Sequence, residues 1–116
     1  MDIVIDERPG ATVVALKGRL DFEAATTAGA QLQALLARPG GVQAIVIDGS
    51  ELSYVSSAGL RVFLTLAKDA KAASVPLAVA ALHPAAAEVF EISGFAQAKI
   101  LDIRDSVDAG VAAVTA

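Results

Sequence analysis

Ala44-Ile45-Val46-Ile47, closed by Asp48, is the segment that most limits the folds open to this chain. Its β-branched content and its length read as a buried strand. Around it, strand-like and helix-like segments alternate. Ile3-Val4-Ile5 and Thr12-Val13-Val14-Ala15-Leu16 flank Pro9-Gly10 and predict a hairpin. Asp21 is a suitable N-cap for a helix in which Phe22, Ala25, Ala28, Leu32, Leu35 and Leu36 share one face, stopped by Pro39-Gly40-Gly41. A polar loop from Asp48 to Tyr54 leads to a second helix, capped by Ser56 or Ser57 and running to about Ala73. Leu60, Phe63, Leu64 and Ala67 point inward from it. Pro76 opens the strand Leu77 to Ala81, and His83-Pro84 starts a short helix that Gly94 closes. Lys99-Ile100-Leu101 reads as a short strand, and Asp105 or Ser106 caps a last helix, Val107 to Val114.

The order β-β-α-β-α-β-α-β-α predicts an α/β fold. Its sheet is mixed, four- to five-stranded and opened by a β-hairpin; beyond the hairpin it is largely parallel, with right-handed crossovers. About four helices accompany it, several packed on one main face. A chain of 116 residues fits one domain over 1–116 and can bury a core without staples.

Charge and composition narrow the function. A net charge of −4 argues against nucleic acid, whose phosphates favour a basic stripe. With no Cys, disulfides and thiolate metal sites are excluded. Met1-Asp2 lacks the basic start and apolar run of a signal peptide. The longest apolar stretches are too short to span a bilayer and are cut by Pro76 and Pro84, so no membrane insertion is expected and the expected location is cytoplasmic.

The chemistry concentrates in Val55-Ser56-Ser57-Ala58-Gly59-Leu60-Arg61. Two hydroxyls stand where a loop becomes a helix. Free N–H groups and the positive end of the dipole favour a phosphate there. One serine explains the cap; the second is surplus, which proposes a phosphorylated serine. Ala58 and Gly59 are small enough to let another backbone or a phosphate come close. Tyr54, Val55, Leu60 and Arg61 surround the serines, either as loop anchors or as a small apolar patch with a polar rim for a partner protein. Asp21 and Asp48 follow strands and are expected at the same carboxyl edge as Ser57. They are too few for a metal site. No base-activated nucleophile accompanies them, since the lone histidine, His83, precedes a proline on another strand's exit; no enzyme activity, cofactor or metal is expected. A receiver domain would need a helix between the first two strands, for which Pro9-Gly10 leaves no room.

With these residues in place, the chain resembles a STAS domain over essentially its whole length, most closely the bacterial anti-sigma factor antagonists. Leu16-Lys17-Gly18-Arg19-Leu20-Asp21 resembles the family's Gly-x-Leu-Asp turn, and Ile45-Val46-Ile47-Asp48-Gly49-Ser50 its central strand and exit. Ser56-Ser57-Ala58-Gly59-Leu60 resembles its signature loop, and Glu91-Ile92-Ser93-Gly94-Phe95 its late helix end. The resemblance implies a partner switch. The unphosphorylated antagonist binds an anti-sigma factor that is also a serine kinase, releasing a sigma factor; phosphorylation separates the pair, and a PP2C-type phosphatase resets it. The family's acceptor, two residues before the glycine, is Ser57 here, and Ser56 stands where an acidic residue often precedes it. The implied partner-binding residues are Asp21, Phe22, Tyr54, Val55, Ser56, Ala58, Gly59, Leu60 and Arg61. A different use, as an accessory STAS subunit of a transporter or another docking module that is never phosphorylated, is argued against by the Ser56-Ser57 pair.

Overall fold

A computed structural model describes residues 1–94 and 100–116. Strand β1 (Asp2–Arg8) turns at Pro9-Gly10 into the long strand β2 (Ala11–Leu20), pairing antiparallel from Asp2↔Lys17 to Arg8↔Ala11. Helix α1 (Phe22–Ala37) follows, then β3 (Ile45–Asp48) and β4 (Leu52–Val55), α2 (Ser57–Ala72), β5 (Leu77–Ala80), α3 (Pro84–Ser93), β6 (Ile103–Arg104) and α4 (Val107–Thr115). The sheet order is β1-β2-β3-β5-β6, with β4 beside β2 and off that path; every pairing except the hairpin is parallel. The expected mixed sheet and four helices are present, with β4 as a sixth short strand. Asp48 to Tyr54 is therefore not a loop throughout: β2 extends beyond the end of β3, and Leu52–Val55 fills that length of its edge, at Gly18↔Leu52, Arg19↔Tyr54 and Leu20↔Val55.

Alternation along the strands sorts the core into two layers. Val14, Leu16, Leu20, Ile45, Ile47 and Val79 face α1, α2 and α3, where Phe63 meets Phe90 edge-to-face at 4.9 Å. Val13, Val46, Ala78 and Ala80 face α4. The small side chains on that second face let α4 sit close: a Cβ on Gly110 would lie 3.0 Å from Val46 and 3.2 Å from Ala80. Three helices thus share one face and α4 covers the other.

Three local expectations change. Phe22 belongs to the apolar stripe of α1 by spacing yet is 77 % exposed: it is the first residue of the helix and stands at an open groove between α1 and α2. The buried stripe of α2 is Gly59, Phe63, Leu66 and Ala70, with Leu60 and Ala67 packed beside it; Leu64 lies outside that set. Of the expected strand Lys99-Ile100-Leu101, Lys99 falls outside the described residues. Ile100 and Leu101 are not strand. Leu101 is a core residue, and the sheet's last pairing runs through Asp102 to Arg104, whose carbonyls accept from the Val79 and Ala81 amides.

Candidate functional site

Two chain reversals meet at one edge of the sheet. Strand β2 ends at Leu20 beside the end of β4 at Val55, and both chains then enter helices. The Ser56 amide donates to the Leu20 carbonyl at 2.9 Å, tying the two junctions together. Each helix is capped by the residue its sequence supplies. The Asp21 carboxylate accepts from the Ala24 amide at 2.9 Å. The Ser56 hydroxyl accepts from the Gly59 amide at 3.1 Å, on an extended backbone typical of an N-cap.

The alternative between the two serines is thereby resolved in structural terms. Ser56 is the cap and half-buried. Ser57 is the first helical residue and exposed, and among the described residues nothing bonds its hydroxyl. The amides of Ser57 and Ala58 have no intrahelical acceptor, as at any helix start.

Gly59 has an intramolecular reason to be glycine. A Cβ there would stand 2.7 Å from the Leu20 carbonyl oxygen and 2.9 Å from Leu20 Cγ. The close approach foreseen at Ala58-Gly59 is that of the chain's own strand. Val55 and Gly59, grouped by resemblance with the partner-facing residues, are buried and shape the surface from beneath. Leu60 is partly buried against the core. Asp21, Phe22, Tyr54, Ser56, Ser57, Ala58 and Arg61 all reach the surface at this edge.

Asp48 does not join them. It pairs with Ala15 in register, six residues before Asp21 along the β2 path, roughly 20 Å at about 3.3 Å per residue. Its carboxylate closes an Asx turn on the Ser50 amide at 3.0 Å. His83 is an exposed N-cap of α3, its Nδ1 accepting from the Ala85 amide at 3.1 Å.

Two features of this edge were not anticipated. Arg19, opposite Tyr54 in register, stacks its guanidinium 4.1 Å above the Tyr54 ring, holding that half-exposed phenol against the sheet. On the other side, an open groove of about 280 Å³ runs between α1 and α2, bordered by Phe22, Ala25, Gly29, Ala58, Arg61 and Val62. It exists because small residues face each other across the helices; further along, Gln33 bonds the Asp69 carboxylate and closes the pair. The signal for the groove is the Ala25, Gly29 spacing on α1, which the apolar periodicity of that helix overshadows.

At the opposite end of β2, Glu7 and Arg38 shift each other's titration. The Arg38 guanidinium and the Thr12 hydroxyl hold the Glu7 carboxyl below the usual carboxylate range. Among the described residues there is no cluster of three His, Cys, Asp or Glu able to hold a metal, and no helix long and apolar enough to cross a membrane.

An exposed serine at a helix start, beside a second helix start on the same edge of a mixed sheet, is the arrangement of a STAS domain. The family model described as "Mlab, STAS domain" matches residues 3–103, and the chain belongs to that family. Within it the likeness is to anti-sigma factor antagonists. BtrV of Bordetella bronchiseptica, named as one, is 35 % identical over 113 residues, covering 97 % of this chain and 94 % of BtrV. The crystal structure of an anti-sigma factor antagonist from Mycobacterium paratuberculosis superposes with a TM-score of 0.82 at 21 % identity, over 97 % of this chain and 92 % of that one. The Bacillus cell fate determinant SpoIIAA, solved in its phosphorylated form, gives 0.73 at 19 % identity over 97 % and 99 %.

Proposed function

We propose that this protein is an anti-sigma factor antagonist whose Ser57 edge binds an anti-sigma factor with serine kinase activity and thereby releases a sigma factor. Phosphorylation of Ser57 ends that contact, and a PP2C-type phosphatase restores it. The protein acts as a binding module and kinase substrate of the cytoplasm, a single STAS domain over 1–116, rather than as an enzyme.

One observation carries this reading: capping is done by Ser56, so Ser57 keeps an exposed hydroxyl with no structural task. The likeness to BtrV and to a protein solved in a phosphorylated form supports it. The surface around Ser57 has the make-up of a contact patch, with Phe22 and Tyr54 as exposed aromatics and Ala58 and Arg61 between them.

The energetics suit a switch. Phosphate adds about −1.5 to −2 charges and three strong acceptors. At the start of α2 these meet open amides and the positive end of the dipole, so the fold tolerates them. In a desolvated contact built for a neutral hydroxyl they do not find partners. A hundredfold loss of affinity needs about 2.7 kcal/mol, and one uncompensated buried charge costs about 3–5 kcal/mol.

Incubation with the cognate kinase and ATP, followed by site mapping by mass spectrometry, tests the assignment. A single phosphate on Ser57, lost in Ser57→Ala, is expected. Phosphate on Ser56, or undiminished incorporation in Ser57→Ala, overturns it.

A further inference from the structure

We infer that Arg61 is the intramolecular counter-ion of a phosphate on Ser57, one helical turn away. The inference rests on the reading of Ser57 as the acceptor and adds a residue whose task begins only after modification.

Position is the first ground. Ser57 and Arg61 are four residues apart on α2, where Cβ atoms are about 5–6 Å apart. Helical side chains lean toward the N-terminus, so Arg61 lies over the turn that Ser57 opens. An acid preceding a base at this spacing is the favourable order. A guanidinium can also grip two phosphate oxygens at once.

The second ground is that Arg61 is unemployed. In a chain of net charge −4, the other arginines are occupied. Arg8 pairs with Asp6 at 3.0 Å, Arg38 with Glu7 at 2.8 Å and Arg104 with Asp102 at 2.7 Å, while Arg19 covers Tyr54. Among the described residues, exposed Arg61 has no ion pair, hydrogen bond or ring partner.

The third ground is electrostatic. A helix start offers roughly +0.5 charge, well short of the phosphate's about −2. The first turn of α2 contains no acidic residue to compete for a cation, and the Ser56 hydroxyl is already engaged. Arg61 supplies most of the missing charge. Because it also borders the α1–α2 groove, its movement toward the phosphate takes a cation from the groove rim. One modification thus alters the partner-facing surface at two points.

The test needs neither kinase nor partner. Phosphoserine is installed at position 57 of the full chain by codon-directed incorporation, with Arg61 native, Arg61→Lys or Arg61→Gln. The second phosphate ionisation, ordinarily near 6, is followed by ³¹P NMR. Asp21 and Glu23 on the α1 side and Arg19 on Tyr54 are common to all three proteins. With Arg61 present, the ionisation is expected at least about 0.3 unit lower than in Arg61→Gln, the size of an exposed i,i+4 pair, with Arg61→Lys between. The unmodified variants should melt like the native protein, and the change in melting temperature on adding the phosphate should be less favourable in Arg61→Gln than with Arg61 present. Identical titrations in all three proteins overturn the inference. A kinase that ignores Ser57 would instead refute the proposed function and leave this result standing.

Discussion

Adding one methyl at Gly59 should loosen the edge that presents Ser57. In Gly59→Ala the new carbon would lie 2.7 Å from the Leu20 carbonyl oxygen, 2.9 Å from Leu20 Cγ and 3.1 Å from Leu20 Cδ2. A comfortable carbon–oxygen contact is about 3.3 Å or more, so α2 and β2 must part by about 0.6 Å. The neighbour is backbone in a buried strand and cannot turn aside. Overpacking of this kind costs about 1–3 kcal/mol. The same movement stretches the Ser56 to Leu20 hydrogen bond, a further loss of about 1 kcal/mol. Replacing glycine by alanine in a helix returns about 1 kcal/mol. The net expectation is a destabilisation of about 1–3 kcal/mol, or roughly 4–12 °C in melting temperature for a chain of this length. Thermal and urea melts measure it, and Gly29→Ala is the matched control. There the added carbon would be 3.8 Å from Val62, ordinary contact, so only the helix gain of up to about 1 kcal/mol remains. A Gly59→Ala protein as stable as the native one, or a Gly29→Ala protein that loses as much, would refute the steric reasoning.

The division of labour between the serines predicts opposite phenotypes. Ser56→Ala should lose about 1 kcal/mol in a urea melt through the missing cap, while Ser57→Ala should melt like the native protein. At the far end of β2, Arg38 and Thr12 depress the Glu7 pKa from its ordinary 4.5. The folded state therefore favours the ionised form. That contribution is complete above the unfolded value and is lost as pH falls through the lower folded one. Melts from neutral pH down to about pH 3 should show Glu7→Gln less stable at neutrality and the gap closing below about pH 4.5; a gap that widens on acidification would contradict this.

The sequence revealed most of the fold where one segment had one plausible periodicity. Ala44 to Ile47 could only be a buried strand, and Asp21 and Pro39-Gly40-Gly41 bracketed α1 closely. Strand β4 was hidden because Leu52-Ser53-Tyr54-Val55 carries its identity in the partner: it forms where the overlong β2 leaves an unpaired edge. That same strand carries Ser57 to the Leu20 end and leaves Asp48 behind, so carboxyl-edge logic that treats every strand exit as one level misplaces Asp48. Phe22 misled for a related reason, since spacing on a helix says which side a residue takes and not whether a neighbouring element closes over it, and here the α1–α2 groove stays open. The motif Ser56-Ser57-Ala58-Gly59 was legible at once, but which serine caps and which stays free depends on a single hydroxyl-to-amide bond, visible only in the fold.

The central claim is that charge on Ser57 decides partner binding. Calorimetric titration of the anti-sigma partner into unmodified protein and into protein carrying phosphate at Ser57 tests it most directly, with Ser57→Ala and Ser57→Asp alongside and a melt for each. Unmodified protein and Ser57→Ala should bind alike. Ser57→Asp should bind at least about tenfold more weakly, near 1.4 kcal/mol, and the phosphorylated form about a hundredfold or more, with every melt cooperative. Equal affinity of all four forms for the partner would contradict the account and leave a docking domain that phosphorylation does not control.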